Sequence, residues 1–451
     1  MMKVVKFGGT SLASAEQIKK VFQIVTSDSM RKVVVVSAPG KRTKDDSKVT
    51  DLLIACANGY MQGDGQRYLH QILERYVEIT KELDVDMMEQ IRADLYEVVE
   101  GDKSDPAAYM DAVKASGEDN CAKIVAAYFR KQGVQAQYVN PGVAGLIVTN
   151  DPGNAQVLPQ SYDYLYKLRE EDGILIVPGF FGYSESGRVV TFSRGGSDIT
   201  GSILANGMKA TMYENFTDVD AVYAVNPNFI NKPAEIKELT YQEMRELSYA
   251  GFAVFHDEAL IPAFRAGIPV NIKNTNNPQA PGTKIMHTRQ HTNGPVIGIA
   301  SDTGFCSINV SKYLMNREVG FGRRLLHILE DEGISYEHTP SGIDDISVIV
   351  RQQQLNEEIE ARVVARITDE LAVDSVAVER NLAMIMLVGE GMRSNVGTMA
   401  RAAIALANAG VNIEMINQGS SEVSMMFGVK EEEEKKAVCA LYEAFFTLSK
   451  V

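Results

Sequence analysis

"VVKFGGTSLAS", Val4 to Ser14, sets a lysine and a pair of glycines at the end of an apolar run close to the start of the chain. Val4 to Phe7 reads as a buried strand, because short continuous apolar runs suit strands covered on both faces. Gly8 and Gly9 can take backbone angles that side chains forbid, so successive N–H groups after the strand can converge on an anion. A helix starting near Ser11 or Ser14 would add its positive end. On this stretch alone, a tight turn with a solvated lysine stands beside the phosphate-binding reading.

The rest of the chain narrows the choice. Its 451 residues exceed one core and imply two or three domains, and 45% hydrophobic with 23% charged residues is ordinary for a globular protein. A formal net charge of -14 with no long Lys/Arg block argues against nucleic acid or an anionic membrane as partner, so any phosphate ligand needs local cations. Cys56, Cys121, Cys306 and Cys439 are scattered without a C-x-x-C pair, which disfavours zinc and a disulfide framework and suits a reducing compartment. No secretory h-region and no apolar stretch of about 18 residues is present, so a cytoplasmic location is expected.

Short apolar runs alternate with helical patterns over the first two thirds: Lys32–Gly40, Ala136–Pro141, Gly173–Gly182, Ala210–Val225 and Gly267–Asn274 are candidate strands. That alternation predicts an α/β domain with a mainly parallel sheet covered by helices. Residues from about 60 to 115 are polar and helix-periodic, and read as a helical insertion or lid. Turn-rich stretches at Asn274–Lys284 and His287–Pro295 place the domain boundary at 293/294. Beyond it the chain repeats itself: Gly333-Ile334-Ser335 and Gly410-Val411-Asn412 lie 77 positions apart, as do Glu337 and Glu414, Asp345 and Glu422, and Ser347 and Ser424. Each copy reads as an approach loop ending in glycine (Gly322, Gly397), an amphipathic helix, a strand, a turn and a second strand. Repeated small units of this kind stack, since one alone buries little.

Neither the P-loop nor the dinucleotide glycine pattern follows the first strand. Instead "TFSRGGSDIT", Thr191 to Thr200, offers a second glycine pair beside Arg194, with Ser197 or Asp198 able to cap a helix. Two such nests with a lysine and an arginine suit the ends of parallel strands, where open α/β sheets bind ligands. Arginine's planar fork fits a carboxylate, and lysine acts as a point charge on phosphate. In "TDVDAVYAVNP" from Thr217, the polar Thr217, Asp218 and Asp220 follow an apolar stretch, with Tyr223 beyond. Glu118 and Asp119 in "ASGEDNCAKIV" read as the acidic start of a glycine-preceded helix.

Together, K-F-G-G-T-S at the N-terminus, S-G-E-D near 118, S-R-G-G-S-D at 193–198, T-D-V-D-x-V-Y from 217 and the tandem ending "NIEMINQGSSEVSMMF" (Asn412–Phe427) resemble the aspartokinase family over nearly the whole chain. The resemblance implies an amino-acid-kinase domain at 1–293, with ATP and Mg2+ as cofactors and L-aspartate as acceptor. It also implies two α+β, ferredoxin-like ACT domains at 294–451: a first at about 312–380, inserted into a second made of about 296–310 plus 381–451. The expected reaction gives 4-phospho-L-aspartate, the first step toward lysine, threonine and methionine, under feedback from an end product. By resemblance Lys6, Phe7, Gly8 and Gly9 hold the transferring phosphate; Arg194, Gly195, Gly196 and Ser197 hold substrate carboxylate; Glu118 receives the substrate ammonium; and Ser37, Thr50 and Phe180 line the aspartate pocket. Asp198 orients this shell, and Thr217, Asp218 and Tyr223 lie against the nucleotide. The chain departs from the family pattern at Asn228 and Ala253, and His256-Asp257-Glu258 lacks the shared face a metal site needs.

Two other readings remain: an amino-acid kinase with glutamate or N-acetylglutamate as acceptor, and a non-catalytic amino-acid sensor. The expected effector is lysine at the first ACT copy. Met315, Glu318, Phe321, Gly322, Ser335, Tyr336, Glu337, Asp344 and Asp345 form that expected pocket, its carboxylates holding the two ammonium groups of the ligand. The ACT regions are expected to pair subunits into a homodimer or homotetramer.

Overall fold

The computed structural model describes residues 1–193, 195–252, 257–289 and 294–447, which gather into two compact units. The first holds Met1–Val222, Glu235–Met244 and residues 257–289; the second holds Tyr223–Ala234, Arg245–Phe252 and the C-terminal part of the chain.

The first unit is built on an eight-stranded sheet. Its strands are β1 (Lys3–Phe7), β2 (Arg31–Val36), β3 (Ala136–Tyr138), β4 (Ile174–Pro178), β5 (Met212–Thr217), β6 (Glu238–Thr240), β7 (Val270–Asn274) and β8 (Thr283–Met286), in the spatial order β6-β8-β7-β5-β1-β2-β4-β3. All neighbours are parallel except β7 and β8. The central strands carry the Val-rich runs because both of their faces are covered, and Val4, Val5 and Val33 to Val36 are fully buried. Two stretches read as single strands are interrupted. Gly173–Gly182 breaks after Pro178, where Phe180 adopts φ +78°, and Ala210–Val225 breaks after Thr217. Residues 60–115 are mostly helical. Helices Gln66–Leu83 and Met88–Val99 bury Ile72, Tyr76, Ile91 and Leu95 in the same apolar cluster as Val5, Phe7 and Val34.

The second unit contains a six-stranded sheet of β9 (Gly298–Ser311), β10 (Tyr336–His338), β11 (Asp345–Arg351), β12 (Ser375–Val388), β13 (Met415–Asn417) and β14 (Ser424–Lys430), in the order β10-β11-β9-β12-β14-β13. Every pairing is antiparallel. The two long central strands, β9 and β12, pair along their length, with register shifts between Asp302 and Ser307. Before the shift, Gly298–Asp302 pairs with Met384–Val388, which also joins β14; after it, Phe305–Ser311 pairs with β11. "VIGIAS" (296–301) therefore joins the half of the sheet that carries the second repeat. The repeat is visible in the helices Phe321–Asp331 and Thr398–Asn408, each entered through a left-handed glycine, Gly320 at φ +81° and Gly397 at φ +89°. Gly320, rather than the expected Gly322, is thus the counterpart of Gly397. Gly322 lies inside its helix with no positive φ.

Candidate active site

The C-terminal ends of β1, β2, β4, β5 and β7 bring the first unit's motifs to one edge of the sheet. After β1 the chain stays extended at Gly8 (φ -70°, ψ 165°) and turns through a short 3-10 helix, Gly9–Leu12. Ser14 then caps the helix Ala15–Thr26, its side chain accepting from the Gln17 N–H. Neither Gly8 nor Gly9 has a positive φ, so the expected use of forbidden backbone angles is corrected: the requirement at Gly9 is space. A Cβ on Gly9 would stand 3.0 Å from the Ala38 carbonyl oxygen, and one on Gly40 would stand 2.5 Å from the Gly9 carbonyl carbon. The Gly40 N–H donates to the Gly9 carbonyl at 2.8 Å, so the loops after β1 and β2 lie backbone against backbone.

Lys6 points into this edge. It is buried, and its Nζ lies 2.6 Å from Asp198 Oδ1 and 3.5 Å from the point where a Gly8 side chain would begin. Asp198 also accepts from Asn215 Nδ2 at 2.7 Å, and the Tyr213 hydroxyl donates to the Asp198 carbonyl at 3.1 Å. Asn215 and Tyr213 were not expected from sequence. Their signal was a polar residue in the middle of a buried strand, which rarely goes without a partner. Asp198 and Ser197 sit in the first turn of the helix Gly196–Gly207 and do not cap it; the N-cap is Gly195, at φ +78°. Ser197 packs on Gly179, where a Cβ would be 2.7 Å from its own, and the Phe180 N–H donates to Thr200 Oγ1 at 3.0 Å. Arg194 lies outside the described residues, as do Ala253 and His256.

Glu118 is not at a helix start. It lies in the 26-residue helix Pro106–Lys131. Gly117 there allows close packing, since a Cβ would fall 2.9 Å from both Ala38 Cβ and Leu53 Cδ1. Glu118 is buried, and its Oε2 has no hydrogen-bond partner among the described residues. Burial pushes its carboxyl up to about 8, against the opposing pull of the Ala38 N–H and of the Lys114 and Lys6 charges. Lys114, one turn earlier and also unforeseen, binds Asp111 at 2.7 Å and Thr191 Oγ1 at 3.0 Å, with its ammonium 5.7 Å from the Phe180 ring centre. Ser37 follows β2 directly, and Thr50 is in the first turn of the helix Val49–Gln62, whose Leu53 faces Gly117.

On the other side of β1, Thr217 Oγ1 donates to Asp218 at 3.2 Å, and the Thr217 carbonyl accepts from the Thr275 N–H at 2.9 Å. Thr275 is tied to Ser11 by a buried 2.7 Å hydroxyl pair. Tyr223 belongs to the second unit.

In the second unit the expected effector residues separate into groups. Around one loop, Lys312 pairs with Glu318 at 2.6 Å and lies 5.6 Å from the Phe321 ring centre; Glu318 also pairs with Arg324. Asp344 accepts from the Leu314 N–H at 2.8 Å, next to buried Met315. A second group is formed on and before β10. The Ser335 N–H and hydroxyl both donate to Gln354 Oε1 at 3.0 Å, while Glu337 pairs with Arg351 at 3.3 Å and accepts from the Tyr249 hydroxyl. Tyr336 and Asp345 are exposed. The expectation of free carboxylates waiting for a ligand is thereby corrected for Glu318, Glu337 and Asp344, which already have partners.

The site's composition agrees with what comparison of the whole chain finds. Residues 1–274 match the amino acid kinase family, and residues 385–445 match an ACT domain. The chain is 67% identical to Aspartokinase 3 of Bacillus subtilis over 99% of both chains. Its fold is similar to that of Clostridium acetobutylicum aspartate kinase, at 38% identity and a TM-score of 0.85 over 98% of this chain and 99% of that one. E. coli aspartokinase III is 25% identical. It gives a TM-score of 0.79 in complex with aspartate and ADP, covering 99% and 100% of the two chains, and 0.77 with lysine and aspartate, covering 99% of each. No helix among the described residues is long and apolar enough to cross a membrane. With its full length matched, its kinase sheet and its repeated regulatory unit, the chain belongs to the aspartokinases, the aspartate kinases of the amino acid kinase family.

Proposed function

We propose that the sheet edge of the first unit transfers the γ-phosphoryl group of ATP to the side-chain carboxylate of L-aspartate. The observation that carries this reading is Glu118: a buried carboxyl with one oxygen unpartnered among the described residues needs a cation beside it to be ionised, and a free α-ammonium supplies one. N-acetylated acceptors have none. The close Gly9–Gly40 approach leaves backbone in place of side chains where phosphates would lie, which fits a nucleotide. Lys6 neutralises charge on the transferring group, held in place by Asp198 and Asn215. Arg194 and Ser197 take the aspartate α-carboxylate, Phe180, Ser37 and Thr50 enclose it, and Thr217 and Asp218 face the nucleotide.

The acceptor carboxylate, with an ordinary pKa near 3.9, is ionised at neutral pH, so no general base is needed. Catalysis is then alignment of two anions and neutralisation of their charge. Magnesium, when bound, supplies further neutralisation at the phosphates. An ion of this kind is carried mainly by phosphate oxygens and water.

The second unit is assigned to feedback by L-lysine at the first ACT copy, with pairing of ACT regions into a homodimer or homotetramer. A lysine complex of E. coli aspartokinase III, which shares the fold, supports the effector. Hydroxylamine trapping tests the reaction: ATP with aspartate should yield the hydroxamate, and ATP with N-acetylglutamate should not. No product with aspartate overturns the reading. Titration of lysine against activity in the wild type and in Asp345→Ala tests the effector. Inhibition that weakens in the variant supports the site, and inhibition by threonine alone removes it.

A further inference from the structure

Residues 41–48, "KRTKDDSK", connect Gly40 to Val49 without a single buried side chain. Nothing apolar holds this loop, yet its two ends carry the acceptor side of the site. At one end Ala38 touches Glu118, and Gly40 is pressed against Gly9. At the other, Val49 and Thr50 open the helix facing Gly117, with the Val49 N–H donating to the Pro39 carbonyl at 3.0 Å. A loop of this composition keeps one shape only if polar contacts impose it.

Glu78 supplies one of those contacts, pairing with Arg42 of the loop, and the buried ones come from Arg75. It lies on the helix Gln66–Leu83 and is almost fully buried. Its Nη2 donates to the Gly40 carbonyl at 2.7 Å and to the Ser47 carbonyl at 3.3 Å, and its Nη1 donates to Asp46 at 2.6 Å. Every hydrogen bond found for the guanidinium goes to this one loop, at both of its ends. Asp46 in turn accepts from the Arg42 N–H at 2.8 Å and from Arg42 Nε at 2.9 Å; the Arg42 hydrogen bonds hold its carboxyl well below the usual range. Only a planar fork can span two carbonyls and a carboxylate in this way; an ammonium is a single point charge.

We propose that Arg75 is a positioning residue for the acceptor site: it clamps the 40–48 loop so that Ala38, Gly40 and Thr50 are pre-set for aspartate. The assignment rests on the reading of this edge as the aspartate pocket. Arg75 acts through this loop, to which every hydrogen bond found for its guanidinium goes.

Two measurements on full-length protein test it. Amide hydrogen exchange reads the clamp directly. In Arg75→Ala, amides of residues 40–48 should exchange at least about tenfold faster while β2 and β4 keep their protection. Steady-state kinetics read its use: in Arg75→Ala the KM for aspartate should rise about tenfold or more, with the KM for ATP within about twofold of wild type. Arg75→Lys should fall between the two, and low-millimolar guanidinium added to Arg75→Ala should restore much of the aspartate KM. Unchanged exchange of the loop overturns the clamp. Faster exchange with an unaltered aspartate KM overturns its role in the acceptor site, and a lowered melting temperature as the sole effect reduces Arg75 to a structural residue. Failure of the underlying reading looks different: wild-type protein would form no hydroxamate from aspartate, while the exchange experiment would still report on the clamp.

Discussion

One carboxylate of the kinase unit and three of the regulatory unit meet the problem of burial in opposite ways. In the kinase unit Glu118 is sunk in a helix, one of its oxygens has no partner among the described residues, and burial raises its carboxyl to about 8. In the regulatory unit Glu318, Glu337 and Asp344 are each answered within their own unit, by Lys312 and Arg324, by Arg351 and Tyr249, and by the Leu314 N–H. An unpartnered carboxylate of the first kind can take a cation directly once it is ionised. A closed network of the second kind binds only by exchanging one partner for another, so its net gain is small and adjustable. Strong demand suits a substrate site that must hold one geometry, and near-balance suits a site whose occupancy changes with ligand concentration.

The largest effect expected from this contrast is at Lys6. Lys6→Ala removes the buried cation 2.6 Å from Asp198 and leaves that carboxylate with Asn215 as its partner among the described residues. Loss of a preorganised charge at a transition state costs about 10²–10³ in rate, so kcat should fall by that order with a smaller change in the KM for aspartate. A variant that keeps kcat within a few-fold of wild type breaks the assignment of this edge as the reacting centre.

Next in size is Glu118→Gln. The carboxylate must be ionised to receive an ammonium, so the wild-type KM for aspartate should fall as pH rises toward about 8 and level off above it. The variant should show a raised KM without that slope. Stability moves the other way. An acid whose pKa rises from 4.5 to about 8 on folding favours the native state while protonated, and that contribution is lost as pH climbs through 8. Glu118→Gln, always neutral, should therefore melt above wild type at pH 9 and near it at pH 5. A variant less stable than wild type at pH 9 would show that the carboxylate is satisfied after all.

How far these features could be read from sequence depended on the kind of signal. Lys6, the glycines and Asp198 were legible because they fall in contiguous motifs at strand ends. Asn215 and Tyr213 were not, since one strand position reaches the site only through pairing of β5 with β1, a non-local fact. Glu118 was recognised but set at a helix start, because Gly117 reads as a breaker; in the fold that glycine admits Ala38 and Leu53 to a continuous helix. Arg75 carried no local signal. Its partners lie 28 to 35 positions away, and a buried arginine in an amphipathic helix looks in sequence like any polar-face residue. The regulatory carboxylates were seen, but their neutralisation depends on Arg351, Arg324 and Tyr249, which no spacing rule links to them.

A smaller effect is expected where the network is already closed. Tyr249→Phe frees Glu337 of one hydrogen bond while leaving Arg351 in place. If Glu337 receives the effector's ammonium, lysine no longer competes with that hydroxyl, and the midpoint of inhibition should fall about fivefold, the equivalent of one hydrogen bond near 1 kcal/mol. Activity without lysine should be unchanged. A midpoint that rises, measured on the same lysine titration, would mean that Tyr249 helps to form the bound state rather than opposing it.

The smallest effects concern the repeat itself, and they separate two registers that sequence left confused. Gly320 and Gly397 open their helices at φ +81° and +89° with nothing within 4 Å of where a Cβ would go. A methyl group there meets no neighbour, so Gly320→Ala and Gly397→Ala should each cost only the left-handed backbone penalty, about 1 kcal/mol. The two costs should agree, because the two positions are structural equivalents. Gly322 also has open space but lies within its helix without a positive φ, and there alanine is the better residue by up to about 1 kcal/mol. Thermal or urea melts of the three variants should therefore show two matched losses, and no loss for Gly322→Ala. The equivalence of the two copies fails if Gly322→Ala is the variant whose cost matches Gly397→Ala, since that would restore the register two residues away in which Gly322 closes the approach loop.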